Sequence, residues 1–293
     1  MTSTQTLPGN VKPAELPTSK RRSVQDPSRA KAWRFLLLAV LTAIILIPIG
    51  VVFILGMEAR TLTPGYEFTF GNIAYVLSET FAPQWLMNSL TVTLITTLFA
   101  VVVAAPGGYV LSRGRSKIAG GYSLTLFIVQ SVPIVASVIP LFLLFANLGL
   151  VDSLVGVTII YVGSTVAVAT WMMGAYFDSI PTSLEEAAWI DGASRFGSFV
   201  RIVLRNSLPG ILSVAIFSFL LSWNDFLVAL VFLRSDPNFT SPIGLLTFFQ
   251  QETTDWGGVM GLAILMLVPP VLIFSVFNKY FSVGGIGGAL AGR

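Results

Sequence analysis

Six stretches of 19 to 34 residues run through this chain without a single Asp, Glu, Lys or Arg: 35–57, 86–112, 118–151, 153–177, 206–224 and 256–278. About 20 apolar residues in a helix cover the hydrocarbon of a bilayer, where only helices and closed barrels satisfy their own backbone. The chain is therefore expected to be an all-α integral membrane protein with six transmembrane helices, at about 35–57, 86–111, 122–146, 154–177, 209–233 and 257–279. The first stretch is too long for a signal-peptide core, and no small-residue cleavage site follows it. The third exceeds one helix, and Gly120, Gly121, Pro133 and Pro140 offer ends and kinks; one helix over 122–146 is the economical reading.

Residues 1–34 are polar and basic, with too little apolar content to fold alone, and read as a disordered cytoplasmic tail. The chain has 17 Lys and Arg. All but Arg60 and Arg234 fall in the tail, at Arg113, Arg115 and Lys117, at Arg195, Arg201 and Arg205, or at Lys279 and Arg293. By the positive-inside rule both termini are then cytoplasmic. The chain has no Cys and no His, which excludes disulfide scaffolds, thiol nucleophiles and His-ligated metals. No catalytic constellation is found, and no metal site is expected.

The segment 178–208, between the fourth and fifth stretches, is longer than the usual helix-bundle connection. Ser183-Leu184-Glu185-Glu186 follows Pro181 and reads as a capping box, with Ser183 accepting from the first amides, Glu186 reaching back and a helix starting at Leu184. Leu184, Ala187, Ala188 and Asp191 then share a face whose alanines allow close approach, and Gly192 can end the helix. Next, Phe196, Phe199, Val200, Val203 and Leu204 oppose Ser194, Arg195, Ser198, Arg201 and Arg205, the pattern of a helix lying under a membrane surface. Periodicity alone is met by a helix that merely rests on lipid.

Glu186-Ala187-Ala188-Trp189-Ile190-Asp191-Gly192-Ala193-Ser194, with Phe199, Ile202, Leu204 and Pro209 behind it, resembles the EAA loop of importer-type ABC permeases of the carbohydrate-uptake branch. Asn88-Ser89-Leu90, Leu148-Gly149-Leu150-Val151-Asp152, Trp223-Asn224-Asp225-Phe226 and the terminal Gly287-Gly288-Ala289 extend the likeness from about residue 70 to the end. Arg205 departs from the pattern, which has proline there. The basic tail is longer than the family's and carries no motif.

The resemblance implies an importer-type ABC permease fold with a cytoplasmic coupling helix, in a bacterial or archaeal cytoplasmic membrane. In that family the short helix docks in a groove of an ATPase subunit, whose closure moves the membrane helices as rigid bodies. Carried over, Leu184, Glu186, Ala187, Ala188, Asp191 and Gly192 form the ATPase-coupling site. Glu186 is anchored locally or reaches the ATPase, the two alanines permit docking, and Gly192 allows the turn. The chain has no G-x-x-x-x-G-K-[ST] loop, so ATP and Mg would be held by separate ATPase subunits, two by the family pattern. The same resemblance implies a second permease that is a different chain, an extracellular or lipid-anchored substrate-binding protein, no cofactor on this chain and no nucleic acid.

The solute route is expected at Ser89, Thr93, Gln130, Trp223, Asn224 and Asp225. Asp225 is the one charged residue placed within a span, and an intramembrane carboxylate is costly enough to suggest a function. With Ser218 and Ser222 on its face it can equally cap a polar helix contact. Trp223 and Asn224 could stack on and hydrogen-bond a sugar. Ser89, Thr93, Thr96 and Ala100 form a small polar stripe, of a kind that more often packs helices than lines a pore, and Gln130 is open between the same two roles.

A route without basic groups suits a neutral hydroxyl-rich solute, a mono-, di- or oligosaccharide, with a polyol or glycerol phosphate as alternatives. Two other classes compete. A secondary transporter would couple through Asp225, but usually needs more intramembrane charge and repeated halves. A lipid-modifying enzyme would need clustered polar groups that the sequence lacks.

Overall fold

The computed structural model describes residues 27–58, 68–249 and 254–284. Most of the expected tail and Gly287-Gly288-Ala289 lie outside them. Among the described residues four helices are long and apolar enough to cross a membrane, or up to six when each of two bent pairs counts as one span. The helices are α1 (Pro27–Gly56), α2 (Gly71–Glu79), α3 (Ala82–Arg113), α4 (Lys117–Ser131), α5 (Ile134–Asn147) and α6 (Leu154–Asp178). There follow α7 (Ser183–Ile190), α8 (Arg195–Asn206, with a π turn over Phe199–Val203), α9 (Leu208–Trp223), α10 (Leu227–Phe232), α11 (Ser241–Gly244) and α12 (Trp256–Gly284).

The chain divides into two units after Gly50. The first holds most of α1, which from residue 35 on is apolar on all sides, with Phe35, Ile45 and Ile47 exposed. Residues 27–34, expected in the tail, already belong to this helix. Pro27 opens it, where a missing N–H is harmless, and good helix formers follow.

The second unit is built on α3, which packs chiefly against α6 and then α9. Gly108 makes the α3–α6 contact close: a Cβ there would lie 2.6 Å from Met173 Cβ and 2.7 Å from the Gly174 amide nitrogen. Around this seam Ala100, Ala104, Ala169, Met173 and Phe177 form one apolar cluster with Phe199 and Val203 of α8. A second cluster joins Phe145 of α5 and Tyr161 of α6 to Val228 and Phe232 of α10. A third holds Trp85, Val76 and Leu262 between α3, α2 and α12.

The third span is not one helix. α4 and α5 meet at 92°, and the break falls at Val132-Pro133, where Pro133 lacks an N–H and forces Val132 into an extended conformation. The fifth is also divided, since α9 stops at Trp223 and α10 begins at Leu227. α8 meets α9 at 74°. Side-chain caps fix other starts: Ser116 Oγ accepts from the Ala119 amide and Ser153 Oγ from the Val155 amide, each at 3.2 Å.

Candidate functional site

At one end of the second unit the chain leaves α6, forms α7 and α8, and returns as α9. α7 starts one residue earlier than expected, and its first turn carries no side-chain cap from Thr182, so the capping box is not formed. The face of α7 that is held inward is set by Glu185 and Ala188, which are buried; Leu184, Glu186, Ala187, Ile190 and Asp191 are exposed. Ala188 therefore supports the helix from behind rather than sharing the outer face with Leu184 and Ala187. Gly192 has φ +85° and ends the helix in the left-handed region, which only glycine enters without strain.

Glu185, one residue before the motif that drew attention, is the residue that ties α7 down. Its side chain is 2% exposed, and its Oε1 accepts from Arg113 Nε at 2.8 Å. Tyr109 OH donates to Oε2 at 2.5 Å, and Arg113 Nη2 donates to the Ile180 carbonyl at 2.8 Å. Arg113 Nη1 also donates to Ser112 Oγ at 2.9 Å, and that hydroxyl donates to Asp178 Oδ1 at 2.5 Å. Removing one member of a buried pair strands the other, at about 3–5 kcal/mol. The signal lay in two spacings: Glu185 and Ala188 are three apart, and Tyr109 and Arg113 four apart at the end of α3.

The outer face of α7 is apolar where it is most exposed. Ile190 is 87% exposed, Leu184 45% and Trp189 40%, and Arg195 stands over the Trp189 ring at 5.8 Å. The following α8 does not keep the expected apolar face. Its pattern is cut by the π turn, so that Phe199, Val203 and Ser198 are buried while Phe196 and Val200 are exposed. Tyr109 and Phe177 hold Phe199, at ring separations of 4.6 and 6.2 Å. Arg205, in the place of a proline, is exposed in the last turn before the bend into α9.

A second feature lies deeper. The bend between α4 and α5 opens a cavity of about 690 Å³ against α6 and α9, and it brings Gln130 and Asp225 together. Ser137, Tyr161, Ser164, Thr165 and Ser222 add hydroxyls to its wall, which otherwise is apolar, and no basic residue lines it. Asp225 is engaged within the fold: Oδ1 accepts from Tyr161 OH at 2.7 Å and from the Val228 and Ala229 amides at 3.1 and 3.4 Å, so it caps α10.

The other route candidates lie elsewhere. Trp223 is buried, stacked on Phe219 at 5.6 Å, and donates through Nε1 to the Met266 carbonyl of α12 at 3.3 Å. Asn224 returns its amide to the Leu220 carbonyl of its own helix at 2.8 Å. Thr93 is buried in the packing of α3. Ser89 Oγ accepts from the Ser241 amide at 2.7 Å. These four residues were legible as polar or aromatic side chains of a span, but their facing was not.

At the end far from α7, α3 and the loop at 234–241 are joined by three side chains. Trp85 Nε1 donates to the Asp236 carbonyl at 2.7 Å, and Asn88 Nδ2 to the Pro237 and Phe239 carbonyls at 2.8 and 2.9 Å, beside the Ser89 contact. Asp152 holds the same loop from the other side. It has φ +56°, and its carboxylate accepts from the Arg234 and Ser235 amides at 2.9 and 3.1 Å and from the Ser235 hydroxyl. Burial pushes the Asp152 carboxyl up, but these hydrogen bonds outweigh it and hold the group at about 2.

The family described as binding-protein-dependent transport system inner membrane component matches residues 96–283. A putative ABC transporter permease protein, ORF1 of Streptomyces antibioticus, is 33% identical over 222 residues, which are 76% of this chain and 97% of that protein. The trehalose/maltose transport system permease protein MalG of Thermococcus litoralis is 32% identical over 233 residues, 78% of this chain and 83% of MalG. Among solved structures, a bacterial ABC transporter involved in the import of the acidic polysaccharide alginate contains a chain with the same fold. It has a TM-score of 0.72 and 21% identity, and the match covers 88% of this chain and 98% of that one.

Proposed function

The chain belongs to the family of binding-protein-dependent transport system inner membrane components and is an ABC importer permease, and from that premise we propose that it carries a sugar across the membrane, coupled to a cytoplasmic ATPase through α7. The observation that carries the coupling is the outer face of α7, where Leu184, Trp189 and Ile190 stand exposed on a short helix that Glu185 fixes from behind. Exposed apolar clusters rimmed by polar residues mark partner sites. Glu186, Ala187, Asp191 and Gly192 surround this patch and, with Leu184, would meet the ATPase, which holds ATP and Mg. Two ATPase subunits, a second, different permease and an extracellular or lipid-anchored binding protein complete the machine. The α7 end is cytoplasmic in this reading, as are both termini.

The sugar reading is supported by the cavity, whose hydroxyls, amide and lack of basic groups match a neutral polyhydroxy solute, and by the trehalose/maltose system of a relative. Polyols fit the same chemistry. The test is a pull-down of the tagged chain from native membranes in mild detergent, followed by reconstitution and uptake of labelled sugars. A P-loop ATPase and a second permease are expected to co-elute, with uptake dependent on ATP. A chain that came down alone and moved sugar without ATP would overturn the reading and place Asp225 at the centre of a secondary transporter.

A further inference from the structure

α3 is joined at its two ends to two different working surfaces. It is one helix from Ala82 to Arg113 that continues through Pro106, and its 32 residues span about 48 Å at 1.5 Å per residue. Its last turn holds Glu185 of α7 through Arg113 and Tyr109. Its first turns hold the loop at 234–241 through Trp85, Asn88 and Ser89. Between the two ends its small side chains and Gly108 lie directly on α6. α7 is joined to α6 and α8 by short turns and also packs on α8.

We propose that α3 is the strut that carries movement of the coupling helix to the far-end loop at 234–241, with Glu185 and Arg113 as positioning residues at one end and Asn88 and Trp85 at the other. This rests on the importer reading, in which α7 follows the ATPase and the loop at 234–241 faces the outside. A buried charge pair suits the inner joint because it is directional: the guanidinium is held by the Ile180 carbonyl and Ser112 as well as by Glu185, so α7 cannot shift without moving α3 or breaking the pair. The outer joint is made of backbone carbonyls that take side-chain donors from Trp85 and Asn88 and of the Ser241 amide, which donates to Ser89 Oγ; Asp152 holds the same loop from the turn before α6, which packs along α3, so the loop follows the α3–α6 pair as a body.

The chain has no natural Cys, which allows one reporter thiol. Asp236→Cys in the complete transporter, embedded in nanodiscs, is labelled with a membrane-impermeant maleimide with and without Mg-ATP and vanadate. The labelling rate is expected to change when the nucleotide is added. With Glu185→Gln that response is expected to fall roughly tenfold, the scale of an ordinary coupling free energy, while the ATPase still co-purifies and hydrolyses ATP. Tyr109→Phe, which keeps the ion pair, repeats the test in milder form if the first variant does not assemble.

Asn88→Ala is expected to lose the same response, and the double variant to be no worse than the weaker single one. Sites this far apart are otherwise additive. A response that survives Glu185→Gln, or losses that multiply in the double variant, would overturn the strut. So would hydrolysis and assembly falling in step with the response in Tyr109→Phe as well as in Glu185→Gln, which is the pattern of purely structural residues. Absence of any ATPase from the unsubstituted complex would instead remove the importer reading itself.

Discussion

Asp225, read within a span, and Asp152, between two spans, both act by accepting hydrogen bonds from the start of a following segment or loop. Asp225 accepts three hydrogen bonds that fix the start of α10 and the Tyr161 ring. Asp225→Ala is expected to leave the buried Tyr161 hydroxyl unpaired and to lower stability by about 1–3 kcal/mol, read as a drop in detergent-state Tm. Asp225→Asn keeps an acceptor and should lose less. Asp152 is at about 2 rather than its ordinary 3.8. Its folded value is the lower one, so its contribution is full above about pH 5 and is lost as the pH falls through 4 toward 2. The Tm difference between the native chain and Asp152→Asn should therefore be constant from neutral pH down to about 5 and close below 4; a gap that does not change with pH would contradict the assignment.

At the scale of elements, the close α3–α6 seam and the turn between α7 and α8 make separate demands. Gly108→Leu would drive a side chain into Met173 and the Gly174 backbone, and overpacking of this kind costs about 1–3 kcal/mol or more; loss of Tm, or of correctly folded material on size exclusion, is the expected result. Gly192→Pro asks a residue locked near φ −65° to sit at +85°. The turn between α7 and α8 would be rebuilt, and co-elution of the ATPase should fall by about tenfold or more, since strain at such sites is about 1–3 kcal/mol.

The existence of α7 and its stop at Gly192 were readable from a short run of residues, because turn chemistry is local. The amphipathic reading of α8 was less sound. A 3.6-residue period assumes a regular helix, and the π turn over Phe199–Val203 shifts the register, so that Phe199 and Val203 enter the core and Phe196 and Val200 do not.

For the whole molecule, length and charge distribution were enough to expect a six-span bundle of helices, because hydrocarbon penalises any exposed charge or open backbone. They also located the loop that leaves the bundle, and the absence of charge from the spans was what made Asp225 conspicuous. Which side chains meet across the bundle was settled by packing alone. The partner of Glu185 lies 72 residues away, at Arg113, and that of Asn88 about 150 residues away, beyond the reach of any local period. Pro133 marked a place where the chain can bend, but the angle of the bend, the cavity it opens and the inward turn of Trp223 depend on how α4, α5, α9 and α12 fit together. Sequence determined the solvent of each segment, since that is a property of the residues it contains; only tertiary structure decided which faces are buried, since a helix has no preferred face until another surface meets it.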